Sequence, residues 1–149
     1  MISRRQTNPA LDAGANGCQR ANHRLRTVQF LPMYSPQVLD HFQHPRNAGE
    51  VLNPDSSVQI DNPACGDVLK LTLRVVDGRV QEIRFLAQGC VPAMACASQL
   101  TELVQGKTIA EVRQLRREEL VGAIGGLPKP SLHASYLAMD ALNAAIKNL

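Results

Sequence analysis

Four residues of this 149-residue chain stand out as a candidate set of metal ligands. Cys65 lies in Pro63-Ala64-Cys65-Gly66-Asp67, Cys90 lies in Gln88-Gly89-Cys90-Val91-Pro92, and His133 opens the last helical segment. Two thiols, an imidazole and the Asp67 carboxylate are thus spread over three separated turns. Zinc fingers draw paired ligands from short loops at two- to four-residue spacing, so this set converges only through tertiary folding. Soft thiolates favour zinc, iron or copper(I), and a carboxylate beside them loosens the hold. Such a mixed set suits a carrier.

Local sequence refines the candidates. Gly66 lets the backbone bend after Cys65, which places that thiol on an accessible turn. Cys90 precedes Pro92 and so stands at the start of a helix, where unpaired N–H groups and the helix dipole favour the thiolate. Cys96 follows six residues later, about 600° of helical rotation, or roughly 120° off the side of Cys90. It is expected to pack as a small hydrophobe. Cys18 lies outside any such pattern. Cys90 with His133 would also compose a nucleophile and base. Nothing in the sequence forms an oxyanion hole or orients the base, so no enzyme is expected.

The elements that must position these residues read from periodicity and punctuation. Ser35-Pro36 is a capping hydroxyl followed by proline at the first helical position, and Pro45 stops the helix, which predicts residues 36–44. Val38, Leu39 and Phe42 share one side, so this helix is expected to dock on a sheet. A short extended stretch at Val58–Ile60 precedes a clean alternation in which Leu69, Leu71, Leu73 and Val75 share one face. Asp77-Gly78 makes a tight turn, and residues 80–87 return with Ile83, Phe85 and Ala87 inward. Pro92 then starts a helix that carries Ala93, Ala97, Leu100 and Val104 and ends at Gly106. Thr108 caps a short helix with Ile109, Val112 and Leu115, a further turn or two covers Glu118–Ile124, and residues 125–130 break regular structure. Ser131 is expected to cap the last helix, with Leu132, Tyr136, Met139, Leu142 and Ile146 as its core stripe. The predicted fold class is α+β: a small three-stranded antiparallel sheet with helices packed on one face.

Composition narrows the function. An apolar content of 44% supports a core for one domain. The formal charge of +3 is unevenly placed: Arg4, Arg5, Arg20, Arg24 and Arg26 face only Asp12, so residues 1–32 hold +4 and the remainder −1. The folded part is nearly neutral and has no basic stripe with interleaved aromatics, which excludes nucleic acid as a partner. Four cysteines in an otherwise ordinary composition read as metal ligands or reactive thiols rather than disulfides. No apolar run approaches the roughly 20 residues of a membrane span, so no membrane partner is expected. Arg4-Arg5 lacks the apolar region of a secretion signal, and the expected location is the cytoplasm. The Arg-rich, acid-poor start also resembles a mitochondrial transit peptide, which would place the protein in the matrix of a eukaryote.

Four motifs in register carry a family resemblance. Tyr34-Ser35-Pro36-Gln37-Val38-Leu39-Asp40-His41-Phe42-Gln43-His44-Pro45-Arg46-Asn47, then residues 64–71 around Cys65 and Asp67, then Arg84-Phe85 through Gly89-Cys90, then Leu127-Pro128 and His133, resemble the IscU/NifU-type iron–sulfur cluster assembly scaffolds. The resemblance runs from about residue 34 to the end. It implies a scaffold that binds iron or a [2Fe-2S] cluster, with zinc in the resting form, through Cys65, Asp67, Cys90 and His133. It implies a cysteine desulfurase and an Hsp70-type chaperone as partners. Two positions depart from the family pattern. The family places a third cysteine after the histidine, where this chain reads His133-Ala134-Ser135. The proline-valine-lysine loop read by the chaperone is here Leu127-Pro128-Lys129-Pro130-Ser131. An alternative therefore stands beside the scaffold: a degenerate member that docks on the desulfurase and modulates assembly without building clusters.

Met33 abuts the first motif, so residues 1–32 are expected to be a disordered extension, or sequence upstream of the true start, before a scaffold domain at 33–149. A chain beginning at Met33 is expected to fold and bind metal like the full chain. A large drop in melting temperature on that truncation would show that the upstream stretch packs.

Overall fold

A computed structural model describes residues 34–64 and 66–149. Helix α1 (Pro36–Gln43) begins where Ser35 Oγ accepts the Val38 N–H at 3.0 Å; the same hydroxyl donates to the Ile124 carbonyl and ties the helix start to a distant loop. Strands β1 (Ser56–Asn62), β2 (Asp67–Val76) and β3 (Arg79–Gln88) form an antiparallel sheet in the order β1-β2-β3. Helices α2 (Val91–Val104), α3 (Ile109–Arg113) and α4 (Arg117–Ala123) follow, then a 3₁₀ turn at Lys129–Ser131 and α5 (His133–Lys147). The expected α+β architecture is the one observed.

The register follows the alternation. Ile60 pairs with Leu69 and Leu69 with Ala87, while Leu71 lies between Val58 and Phe85. Leu69, Leu71, Leu73, Ile83 and Phe85 are buried beneath α2 and α5. Asp77 and Gly78 both take positive φ, 53° and 75°, the two-residue hairpin loop whose twist matches that of the strands. Val75 pairs with Val80 but Arg74 with Glu82, so Gln81 is an extra residue, and this bulge lets Val80 and Ile83 both face inward. Residues 47–49 pair in parallel along the free edge of β3, and the chain then reaches the opposite face at Val51. Gly49 N donates to Phe85 O at 2.8 Å and Val51 N to Thr72 Oγ1 at 2.9 Å, which buries Val51.

Helix α2 is central and buried nearly all round, because Ala93, Ala95, Ala97 and Ser98 are small enough to let neighbours approach from several sides. Thr108 and Glu111 form the reciprocal side-chain bonds of a capping box at α3.

Three details of the sequence reading are corrected. Helix α1 packs on α2 rather than on the sheet, and its buried positions are Val38 and His41 while Phe42 is exposed. A histidine can take that place because Ser98 Oγ lies 2.8 Å from its Nδ1 and Glu102 Oε1 lies 3.5 Å from Nε2. Ser131 is not the cap of α5; it ends the 3₁₀ turn, whose carbonyls run straight into the helix, and Leu132 precedes α5 with no side-chain cap. Tyr136 is exposed, under the Arg117 guanidinium at 4.4 Å from its ring centre. Met139, Leu142 and Ile146 are buried as expected, and Ala134, Ala138, Ala141 and Ala145 complete the buried face as small residues that let the helix lie close on β1 and β2.

Burial, and secondarily the nearby Arg46, lower the His41 pKa from its ordinary 6.5, with Glu102 and Asp40 opposing. The unfolded chain therefore takes up a proton that the folded chain resists, so stability is fully present above about pH 6.5 and declines as pH falls below it. Thermal melting across pH 5–7.5 should show that decline, and His41→Asn should flatten it.

Candidate metal centre

The chain ends of three elements meet at one place. Asp67 is the first residue of β2, Cys90 the residue before α2, and His133 the first residue of α5. The β2–β3 register sets Val68 opposite Gln88, so Asp67 lies beside the Gly89-Cys90 exit from β3. There its Oδ1 accepts the Cys90 backbone N–H at 3.1 Å, one of the N–H groups that the following helix leaves unpaired.

The other carboxylate oxygen turns to the side chains. Asp67 Oδ2 lies 3.5 Å from Cys90 Sγ and 3.5 Å from His133 Nε2, and Sγ lies 3.7 Å from Nε2. One donor atom from each residue falls within 4.8 Å of the others. His133 Nδ1 lies 3.1 Å from the Pro130 carbonyl. A carbonyl only accepts, so Nδ1 carries a proton and the ring is turned with Nε2 toward Cys90 and Asp67, the orientation of metal-binding histidines held from behind.

Asp67 is 2% exposed, while Cys90 and His133 are half-buried. Burial raises the Cys90 pKa above its ordinary value; the Ala93 N–H works against it, and the Asp67 carboxylate adds to the rise. The sequence reading expected the helix start to favour the thiolate. That stabilisation is present through Ala93, but desolvation and the adjacent carboxylate outweigh it. A cation in contact with the sulfur would reverse the balance.

The remaining candidates sort by burial. Cys65 lies outside the described residues; on either side of it, Gly66 N donates to Asn62 O at 2.7 Å and Ala64 N to Asn62 Oδ1 at 3.1 Å. Cys96 is fully buried in the core, where desolvation pushes its thiol up to about 12, as its rotation around the helix from Cys90 led one to expect. Ala134 is also fully buried in the core, one residue from His133. Sequence reasoning missed the Pro130 carbonyl, since a backbone acceptor has no residue-type signature. It also missed a groove beside His133 of about 290 Å³, bordered by Ile60, Asp61, Pro63, Tyr136 and Asp140.

Among the described residues, no helix is long and apolar enough to cross a membrane. Comparison with known proteins places the fold and the site in context. The chain is similar to the iron–sulfur cluster assembly scaffold protein IscU 1 of Archaeoglobus fulgidus, at 45% identity over 114 residues, 76% of this chain and 74% of the relative. It is 38% identical over 117 residues to the scaffold protein IscU of Aquifex aeolicus, covering 77% of this chain and 74% of that one. In fold it resembles the N-terminal part of a NifU-like protein from Brucella abortus, with a TM-score of 0.63 at 19% identity over 78% of this chain and 93% of that one. The family model of the NifU-like N-terminal domain matches residues 33–149, and with that match and these identities the chain belongs to the NifU-like N-terminal domain family.

Proposed function

We propose that this protein is an iron–sulfur cluster assembly scaffold whose Cys65, Asp67, Cys90 and His133 hold iron or a [2Fe-2S] cluster as cargo, with zinc in the resting form. The observation that carries the reading is the convergence of Asp67 Oδ2, Cys90 Sγ and His133 Nε2, at 3.5, 3.5 and 3.7 Å from one another. With metal–sulfur bonds of ~2.3 Å and metal–nitrogen or –oxygen bonds of ~2.1 Å, tetrahedral angles set neighbouring donors about 3.4–3.6 Å apart. The donors already have roughly that spacing. The donor set also suits a carrier, because a carboxylate beside thiolate and imidazole is a weaker partner for a soft metal than a further thiolate.

Each residue then has a stated task. Asp67 holds one oxygen on the Cys90 N–H and offers the other to the cargo. Pro130 fixes the His133 ring so that Nε2 faces inward. Cys90, whose thiol is held protonated by its surroundings, gives up its proton as the metal arrives. The iron held there would be the cargo to which sulfur is added. A cysteine desulfurase is the partner class that supplies sulfur. Lys129 and Pro130 are exposed on the loop before α5, in reach of an Hsp70-type chaperone.

Replacing Cys65, Cys90 or His133 by alanine should each lower zinc or iron(II) affinity at least about tenfold, near 1.4 kcal/mol, by competition titration. Cys96→Ala should leave affinity nearly unchanged, because that thiol is enclosed in the core. A Cys96→Ala loss larger than the others would assign the site to the wrong thiol.

Ala134 favours a second reading, the partner module that docks on a desulfurase without building clusters, since a methyl group offers no ligand. Anaerobic reconstitution with iron and sulfide separates the two. Visible thiolate-to-iron absorption is expected of a scaffold and absent from a module. With only two thiolates in the set, the cluster should be short-lived. Ala134→Cys should lengthen its lifetime while lowering the melting temperature, because the added sulfur enters a filled core at a cost of about 1–3 kcal/mol. A long-lived cluster in the unmodified protein, with no gain from Ala134→Cys, would rule out the module.

A further inference from the structure

Gly89 joins the end of β3 to Cys90 at a φ of +150°. A Cβ placed on it would lie 2.7 Å from Asp67 Cγ and 3.1 Å from Asp67 Cβ, with Oδ1 closer still. Real Cβ atoms essentially never come within 3.0 Å of a neighbour, so the carboxylate occupies the volume that a side chain at position 89 would fill. Gly66, Gly78, Gly106 and Gly126 also take positive φ, yet a Cβ at any of them would meet open space. Their glycine requirement is conformational alone. At Gly89 a second requirement is added, and the atoms that impose it belong to a candidate ligand.

The position of that carboxylate matters because three contacts converge on it. Oδ1 accepts the Cys90 N–H at 3.1 Å, and Oδ2 stands 3.5 Å from Cys90 Sγ and from His133 Nε2. Asp67 is 2% exposed, so it has no solvent-facing volume into which to retreat. We infer that Gly89 is a positioning residue: its absent side chain is the slot that holds the Asp67 carboxylate against Cys90 and His133. A residue with no donor of its own thereby sets the affinity of the site. The inference rests on the proposed metal-holding role of Asp67, Cys90 and His133.

Cobalt(II) titration followed by visible absorption, together with thermal melting of the metal-free proteins, tests it on the full chain and on Gly89→Ala, Asp67→Ala and the double variant. Asp67→Ala and Gly89→Ala should each weaken cobalt binding about tenfold and alter the visible bands. The double variant should bind no worse than Asp67→Ala alone, since both changes remove one interaction. Unchanged binding and spectrum in Gly89→Ala, or a double loss near the product of the two, would overturn the inference. Backbone strain at φ +150° is common to both backgrounds, whereas the collision is not. The fall in melting temperature caused by Gly89→Ala should therefore be smaller when Asp67 is alanine, and an equal fall would overturn the slot. If Gly89→Ala fails to fold, recovery of a melting transition in the double variant supports the collision, and no recovery refutes it. Failure of the unmodified protein to bind cobalt would count against the proposed function, and the melting comparison would still decide the role of Gly89.

Discussion

The pairing of β2 with β3 is the constraint on which the site depends. Val68 opposite Gln88 sets Asp67 level with the point where the chain leaves β3, and the Asp67 Oδ1 to Cys90 N–H bond then fastens the start of α2 to the start of β2. A slip of one residue would send Asp67 to the other face and move Leu69, Leu71 and Leu73 out of the core. The apolar alternation that builds the core therefore also fixes the distance between carboxylate and thiol. Stability and site geometry come from the same ladder of hydrogen bonds.

What that ladder produces is electrostatically unfavourable in isolation. A carboxylate removed from solvent faces the Cys90 thiol, which donates to its Oδ2, and the His133 ring at 3.5 Å. The thiol responds by holding its proton more tightly than an ordinary cysteine. Asp67 is kept in place by its bond to the Cys90 N–H and by enclosure, and the His133 tautomer by Pro130. A cation bound among these side chains would displace the thiol proton and meet the carboxylate directly.

The strands, the hairpin and the central helix were legible because each had a local signal: alternation, an Asp-Gly pair, a proline after Cys90. The ends of those elements bring Asp67, Cys90 and His133 together, residues named in the sequence by type, by place in the chain and by the register of a family resemblance. What could not be read were the positions decided by a distant partner. His41 is buried because Ser98, 57 residues away, meets its ring, and Tyr136 is outside because alanines fit closer to the sheet. Periodicity counts apolar residues and is blind to a satisfied polar group or to a preference for small ones. The thiolate expectation at Cys90 failed for a related reason. A helix start can be seen in sequence, but the buried carboxylate placed beside it by sheet register cannot.

The two halves of the site are held unequally. Asp67 and Cys90 are bonded to each other across a sheet whose register is enforced along the length of β2, and Cys90 leads directly into the most enclosed helix of the fold. His133 arrives on the first turn of a helix with no side-chain cap, after a 3₁₀ turn that follows Pro128 and contains Pro130, and the carbonyl three residues back meets Nδ1 of its ring. Ala134 and Ala138 pack that turn against the core, but they contribute methyl contacts rather than hydrogen bonds. Local openings are drawn from the least fastened parts of a structure. A metal held by all three residues would therefore stabilise the start of α5 more than the Asp67–Cys90 half. A partner that gripped the loop at 127–131 would be pulling on the weaker half of the site.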